Sequence, residues 1–559
     1  MQIKILTMNK LIKKNNFFDP HYRFKAILII IFLTGSGIRL FHFINNRSLW
    51  MDEIYLCSSF VHMDYLELAS NVLDYQQKAP IGFLWMVKLC TDLFGYHEMS
   101  LRIIPLIAGI ISLFLFADVC KYYLKPIPLL IAVAIFAFSP ALAYHSVECK
   151  QYSTECLATV LALLLFLRYQ SKTSINDKVY WGILGGLLLW FSFSVIFILA
   201  GIAFGLTLSD IIKKDWKSLF LNATAFCLWL ISFSLNYMLF THKHADSEWV
   251  VYFFKLYDNF MPFPPLTLQQ LKWFPRNFYD LMDYPLGLVW NLKGFDPHFY
   301  IKLISIPFLP ILCFFTGIFF IFKNNRKSFY VFTFSIMFML TASGLYLYPL
   351  LERFWVFISP VFIIFIAEGF QYIQQKFRSS HISGFLIMLL LIGPFIQSIY
   401  YIYQPVFFYK HKKSFEKECL SYINDNFIAG DAVYNYWNNA PGYKVYKHIL
   451  NLRYTAVEGK DYRKTSSNRS VYNNELQKEF TKFSGSKRVW IICNTMFLTD
   501  IGDKAEDPMW YYRSKLRPAG NLIQQLSKVG TPVLKKTTAD VTVYLFELTT
   551  DKVTKNPEL

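Results

Sequence analysis

The sequence predicts a polytopic α-helical membrane protein with a C-terminal soluble α/β domain. Of its 559 residues 54% are hydrophobic and only 17% charged, too few charges to cover a soluble protein of this length. The apolar residues come in about eleven blocks of roughly 15–23 residues, long enough or nearly so to cross a bilayer as helices. Past residue 405 the composition changes sharply, and strand-like and helix-like stretches alternate.

The net charge of +18 does not point to nucleic acid. Lys and Arg lie mostly in short loops between apolar runs and in the tail, which is how topology signals are distributed, with anionic membrane lipid as partner. The nine cysteines form no CxxC and no metal-ligand spacing, and they read as small buried apolar residues.

Residues 1–25 carry Lys10, Lys13, Lys14, Arg23 and Lys25 and are followed by no small-x-small cleavage site. They are expected to be a cytoplasmic tail before a retained signal anchor. The spans are placed at about 26–43, 100–120, 126–144, 152–169, 179–193, 195–212, 218–240, 301–322, 328–348, 353–374 and 383–404. Residues 179–212 have no Pro or Gly turn in the middle. They are split in two because 34 residues at 1.5 Å each make about 50 Å, too long for one crossing. Basic clusters at 121/125, 168/172/178, 213/214/217, 323/326/327 and 376/378 then share one side with the N-terminus, the cytoplasmic side.

The membrane part is thus residues 26–405, with long outer loops at 45–99 and 241–300. Odd parity places 406–559 outside, as an extracytoplasmic α/β domain. In the first loop, 51–75 reads as amphipathic helices on the membrane surface, and 81–94 as an interfacial or re-entrant segment. Loop 241–300 is long enough to cover a substrate. In the tail, helical stretches are expected at 414–426 and 518–528, and strands at 429–436, 487–493 and 541–546. The tail has no GxGxxG and no Walker sequence, and a lid or acceptor platform is its expected role.

Charged and phenolic residues at the outer face form four clusters. Asp52 and Glu53 open the first loop, and Tyr75 and Lys78 lie further along it. Glu148, Lys150 and Tyr152 stand between the third and fourth spans, and Tyr348 and Arg353 between the ninth and tenth. On one helix Glu148 and Tyr152 would share a face, with Lys150 about 160° away. Each residue has a structural alternative. Asp52 and Glu53 can cap the next helix, Lys150 can snorkel to headgroups, Glu148 can pair with a neighbour, and Arg353 can anchor the interface. Arg39, inside the first span, is assigned no role. Together the clusters set an acid, cations and tyrosine hydroxyls at one level of the bilayer. That suits sugar transfer from a lipid-linked phosphosugar: cations neutralise the leaving phosphate, and a carboxylate deprotonates the acceptor hydroxyl.

The order of motifs resembles the GT-C superfamily of integral-membrane glycosyltransferases, glycosyltransferase 39/83-type, which includes the protein O-mannosyltransferases and the lipid A aminoarabinose transferases. The resemblance covers about residues 25–405. It rests on Leu49-Trp-Met-Asp-Glu53, Tyr75-Gln-Gln-Lys-Ala-Pro80, Phe94-Gly-x-x-x-x-Ser-Leu-Arg-x-x-Pro105, Glu148-Cys-Lys-Gln-Tyr152 and Tyr348-Pro-x-x-x-Arg353-x-x-x-Phe-x-x-Pro360.

The resemblance implies a GT-C-like fold and Asp52 as general base of an inverting displacement. It implies donor phosphate at Tyr75, Lys78, Lys150 and Arg353, and sugar or acceptor at Glu148, with Tyr152 and Tyr348 also expected to bind substrate. Glu53 then either meets substrate, orients the loop or pairs with a cation. Gln77 is a departure, because relatives have a Glu there that can help hold a metal. A divalent metal stays an open alternative that Gln77 counts against, since an amide is a poor ligand for a hard cation or zinc.

The implied partners are a polyprenyl-phosphate-sugar donor and a glycan, lipid or protein acceptor, at a bacterial inner membrane with the tail in the periplasm. The competing reading is a transporter or flippase of a lipid-linked saccharide. It would want charged or broken helices at mid-membrane and repeated halves. A third reading, a membrane anchor for the tail, leaves eleven spans unexplained.

Overall fold

The computed structural model describes residues 20–244, 248–289, 307–377, 379–410, 414–483, 485–495, 500–503, 507–513 and 516–549. Seven helices among them are long and apolar enough to cross a membrane, and Pro126–Phe138 and Phe308–Asn324 are shorter apolar helices. Helices stand at all eleven expected places, but only seven meet the length and hydropathy of a full crossing, so the count of eleven is not confirmed. The start of the expected span 301–322 and part of loop 241–300 lie outside the described residues.

The first helix, α1, runs Pro20–Asn45. The outer loop that follows holds α2 (Met51–His62), α3 (Tyr65–Ser70) and α4 (Ile81–Phe94). Then come α5 (Glu98–Tyr123), α6 (Pro126–Phe138), α7 (Pro140–His145) and α8 (Tyr152–Tyr169). They are followed by α9 (Ile175–Leu188), α10 (Val195–Lys213) and α11 (Trp216–Asn236).

The expected span 126–144 is broken at Ser139. Pro140 has no N–H to give the carbonyl of Phe136, which leaves carbonyls at the end of α6 without their helical donors. Arg39 of α1 supplies the replacements: its Nη2 donates to the Phe136 carbonyl at 3.2 Å and its Nη1 to that of Ala137 at 3.0 Å. Ser398 donates to the Phe138 carbonyl at 2.6 Å. A fully buried guanidinium in the first span thus closes a break in the third.

The stretch 179–212 is two helices. α9 ends at Leu188, a turn follows, and Ser192 Oγ accepts from the Val195 N–H at 3.0 Å to start α10. The same turn accepts from the Gly82 N–H through the Trp190 carbonyl at 2.9 Å, which ties down the start of α4. At 14 residues, α4 is about 21 Å long and does not cross. Trp85, Met86, Leu89 and Leu93 are exposed on it, as expected of an interfacial segment.

Beyond the second outer loop, which carries α12 (Glu248–Leu256) and α13 (Leu268–Asp283), lie α14 (Phe308–Asn324) and α15 (Arg326–Gly344). A 3₁₀ turn Glu352–Ile358 leads into α16 (Ser359–Phe377), and α17 (Ser380–Tyr403) closes the membrane part. α14 and α16 cross at Gly317 and Gly369. A Cβ at either would collide with the backbone of the other helix, so only glycine permits this approach.

The tail is the expected small α/β domain. Its sheet order is β2-β1-β3-β5-β4, with β1 (Ala432–Asn435), β2 (Val457–Glu458), β3 (Arg488–Asn494), β4 (Gly530–Thr537) and β5 (Val541–Leu548). β1 runs parallel to β2 and β3, while β5 is antiparallel to β3 and β4. Its helices are α18 (Glu416–Asn426), α19 (Ala440–Ile449), α20 (Arg469–Phe480), α21 (Met509–Arg513) and α22 (Pro518–Leu526).

Two expectations need correction. α2 does not lie on a lipid surface. Residues 53–60 are all buried, because the tail covers the side that the membrane helices leave open. Among the cysteines Cys227 is exposed, while the other eight are buried thiols.

Candidate functional site

The tail docks on the end of the helix bundle that carries α2. Tyr446 of α19 accepts from the Leu49 N–H at 2.7 Å, and Lys444 of the same helix reaches Asp74 at 2.8 Å. Between tail and bundle lie most of the residues singled out in the sequence.

Asp52 and Glu53 stand in the first turn of α2, where the partial positive charge of the helix N-terminus favours carboxylates. Their surroundings differ. Glu53 is wholly buried. Its oxygens accept from Arg102 Nε at 2.8 Å and Nη2 at 2.9 Å, from Arg47 Nη1 at 3.1 Å and from the Cys149 N–H at 2.9 Å. It also caps α2 by accepting from the Trp50 N–H at 3.3 Å. Of the roles weighed for Glu53, this geometry fits orienting the loop and pairing with cations. Both Glu53 oxygens are engaged within the protein, by Arg102, Arg47 and two backbone N–H groups. Asp52 keeps 22% of its side chain exposed and meets one cation, Arg353 Nη2, at 3.1 Å. Arg353 is 20% exposed and sits 6.0 Å from the centre of the Trp50 ring.

Glu148 lies in the turn between α7 and α8, not on a helix face with Tyr152. It accepts from Trp50 Nε1 at 2.6 Å and pairs with His145 Nδ1, whose Nε2 meets the Tyr284 hydroxyl at the end of α13. Burial works to raise the Glu148 carboxyl, but the His145 ring, Arg47 and the Trp50 indole outweigh it and hold it below the usual range. Glu148 thereby fixes the Trp50 indole beside Arg353, and it carries the neighbour pairing weighed above.

Lys150 is buried, and its Nζ donates to Gln77 Oε1 at 2.6 Å, so the snorkelling alternative falls. The expected phosphate-binding strap 75–78 meets the 146–151 turn through this bond and through Gln151, whose amide reaches the Lys78 carbonyl at 3.5 Å. Tyr75 lies 4.6 Å from Tyr55 of α2, ring centre to ring centre. Tyr348 spends its hydroxyl on the Phe354 carbonyl at 3.0 Å and so shapes the turn that presents Arg353. Tyr152 is buried edge-on to His145 and Phe354.

The fit to a metal is poor. The amide oxygen of Gln77 faces an ammonium, and among the described residues no three His, Cys, Asp or Glu side chains converge.

Several members of this network carried no assigned role in the sequence: Arg47, Arg102, Trp50, His145, Tyr284 and Lys444. Arg102 sits inside a quoted motif, in the first turn of a span. That placement is a signal in itself, because a cation at a span end without a water-facing partner needs an acid.

Residues 78–237 match the family model described as dolichyl-phosphate-mannose-protein mannosyltransferase. No curated protein matches the chain. The crystal structure of apo ArnT from Cupriavidus metallidurans aligns over 94% of this chain and 97% of that one, at 12% identity and a TM-score of 0.51. ArnT from the same organism bound to undecaprenyl phosphate aligns over the same shares at 11% identity and 0.48. The archaeal oligosaccharyltransferase AglB from Archaeoglobus fulgidus, in complex with an inhibitory peptide and a dolichol-phosphate, covers 94% of this chain and 74% of its own, at 13% and 0.47. At such identities the likeness to apo ArnT is one of fold. Together with the family-model match, it makes the chain an integral membrane protein of GT-C fold that resembles ArnT and the protein mannosyltransferases.

Proposed function

We propose that the chain is a glycosyltransferase that moves a hexosyl or pentosyl unit from a polyprenyl-phosphate carrier to an acceptor hydroxyl at the outer face of the membrane. One observation carries the reading. The Asp52 carboxylate and the Arg353 guanidinium stand 3.1 Å apart, both partly open, while the neighbouring acid Glu53 is sealed by two arginines. An open carboxylate beside an open cation is what displacement at an anomeric carbon needs.

Asp52 takes the proton of the acceptor hydroxyl as its oxygen bonds to the anomeric carbon. The bond from that carbon to the phosphate oxygen breaks, its electron pair leaves on the phosphate, and the centre inverts. Arg353, with the forked donors that suit phosphate, neutralises the leaving group. Lys78 and Lys150 are its further cationic partners, and Tyr75 of the same strap as Lys78 helps hold the donor phosphate. The family model supports the donor class, since its mannosyltransferases are described by a dolichyl-phosphate-linked sugar. In this reading the membrane is a bacterial inner membrane, with the N-terminus cytoplasmic and the tail periplasmic.

The test is reconstitution of the full chain in vesicles with radiolabelled polyprenyl-phosphate sugar. Release of polyprenyl phosphate together with label on an acceptor is the expected result. Label that crosses the bilayer still attached to its lipid would replace this reading with a flippase.

A further inference from the structure

Resting on the proposed donor site, we propose that helix α19 of the tail is a clamp that sets the geometry of the membrane site. In this account Tyr446 and Lys444 act as positioning residues for Asp52 and for the strap that carries Lys78.

The strap needs holding. Tyr75 and Gln76 both adopt left-handed backbone conformations, with φ of 52° and 51°. Two consecutive non-glycine residues there are rare, because the Cβ crowds the backbone, and such a conformation persists only where surrounding contacts impose it. The contacts converge on Asp74, the residue before the pair. Its N–H donates to Ser59 Oγ at 3.0 Å, and its carboxylate accepts from Ser58 Oγ. The same carboxylate oxygen accepts from Lys444 Nζ at 2.8 Å. His62, the last residue of α2, lies 3.6 Å from the other carboxylate oxygen, so three of these four holds come from α2 and the fourth comes from the tail.

The other end of α2 is gripped by the same helix. Tyr446 is fully buried, and its hydroxyl accepts from the Leu49 N–H at 2.7 Å, three residues before Asp52. Tyr446 and Ser48 also share a hydrogen bond at 3.2 Å. The first turn of α2 carries Asp52 and the segment beyond α2 carries Gln77 and Lys78, so α19 fixes both halves of the site relative to each other. The tail is therefore part of the catalytic geometry and not only a cover. Displacing α19, by an acceptor or by a partner on the tail, loosens donor binding.

The test uses the full chain in nanodiscs with three variants, Lys444→Met, Lys444→Arg and Tyr446→Phe. Hydrogen–deuterium exchange is followed at residues 74–80, and binding of undecaprenyl phosphate is measured alongside. In Lys444→Met, strap exchange is expected to speed up and undecaprenyl phosphate to bind about tenfold more weakly, with a raised donor KM at unchanged kcat. Lys444→Arg restores both readouts. Tyr446→Phe keeps its ring and speeds exchange at 47–51. A lower melting temperature in Lys444→Met with unchanged strap exchange and donor affinity would overturn the clamp. If the wild-type chain binds no undecaprenyl phosphate, the donor reading fails, and the exchange arm alone decides: faster strap exchange in Lys444→Met supports the clamp, and unchanged exchange overturns it.

Discussion

Two ion clusters lie side by side at the start of α2 and serve different ends. Around Glu53 every oxygen is engaged, by Arg102, Arg47 and two backbone N–H groups, and water is excluded. Around Asp52 there is one cation among the described residues, and the side chain is partly exposed. The first cluster locks loop, α5 and the 146–151 turn into one body, and the second keeps about a fifth of each side chain exposed. A buried charge without its partner is costly, so saturation marks architecture, while an accessible charge pair is where the proposed chemistry is placed.

The comparison can be broken most severely at Arg102. Arg102→Met strands Glu53 without its two strongest donors, and thermal unfolding in detergent should show a loss of about 3–5 kcal/mol. A buried acid in the tail shows a different outcome. Glu416 in α18 accepts from Asn439 at 2.9 Å and pairs with no cation among the described residues. Burial pushes its carboxyl up to about 8. The unfolded chain ionises this group at ordinary acid pH and the folded one does not, so tail stability falls as pH rises from the usual glutamate range towards 8. Glu416→Gln should then stabilise the tail by on the order of 2–4 kcal/mol near pH 8 and by almost nothing near pH 4, read from melts at the two pH values.

Arg353→Ala leaves the Glu53 cluster intact. It should cost about a hundredfold in transfer rate with little change in melting temperature. At the far end of the scale stands the Lys121–Asp118 pair, more than half exposed on both sides. Lys121→Ala should change neither melting temperature nor transfer, because an exposed pair contributes little.

Much of this was legible in the sequence. The apolar blocks located the helices, and the structure has two helices across 179–212, where the length argument expects a division. The strand–helix alternation after residue 405 gave the tail its class. Asp52 and Arg353 were singled out separately, and they meet. What escaped has physical causes. Glu53 and Arg102 lie far apart in the chain, so the place of Arg102 at a span end signals an acid partner without saying which acid it is. Arg39 looked anomalous because its partners are carbonyls freed by Pro140 on another helix. α2 looked like a surface helix because its cover belongs to another domain. β4 was missed because Pro532, Lys535 and Lys536 give it a polar, broken pattern. Those residues are tolerated because β4 is an edge strand.

In the proposed function two adjacent acids divide structure from catalysis. The most direct measurement compares Asp52→Asn with Glu53→Gln, scoring transfer from polyprenyl-phosphate sugar and melting temperature on the same preparations. Asp52→Asn should melt like the wild type and lose transfer by about 10²–10⁴-fold. Glu53→Gln should melt well below it. An Asp52→Asn variant that melts normally and keeps transfer within a few-fold of wild type would contradict the account.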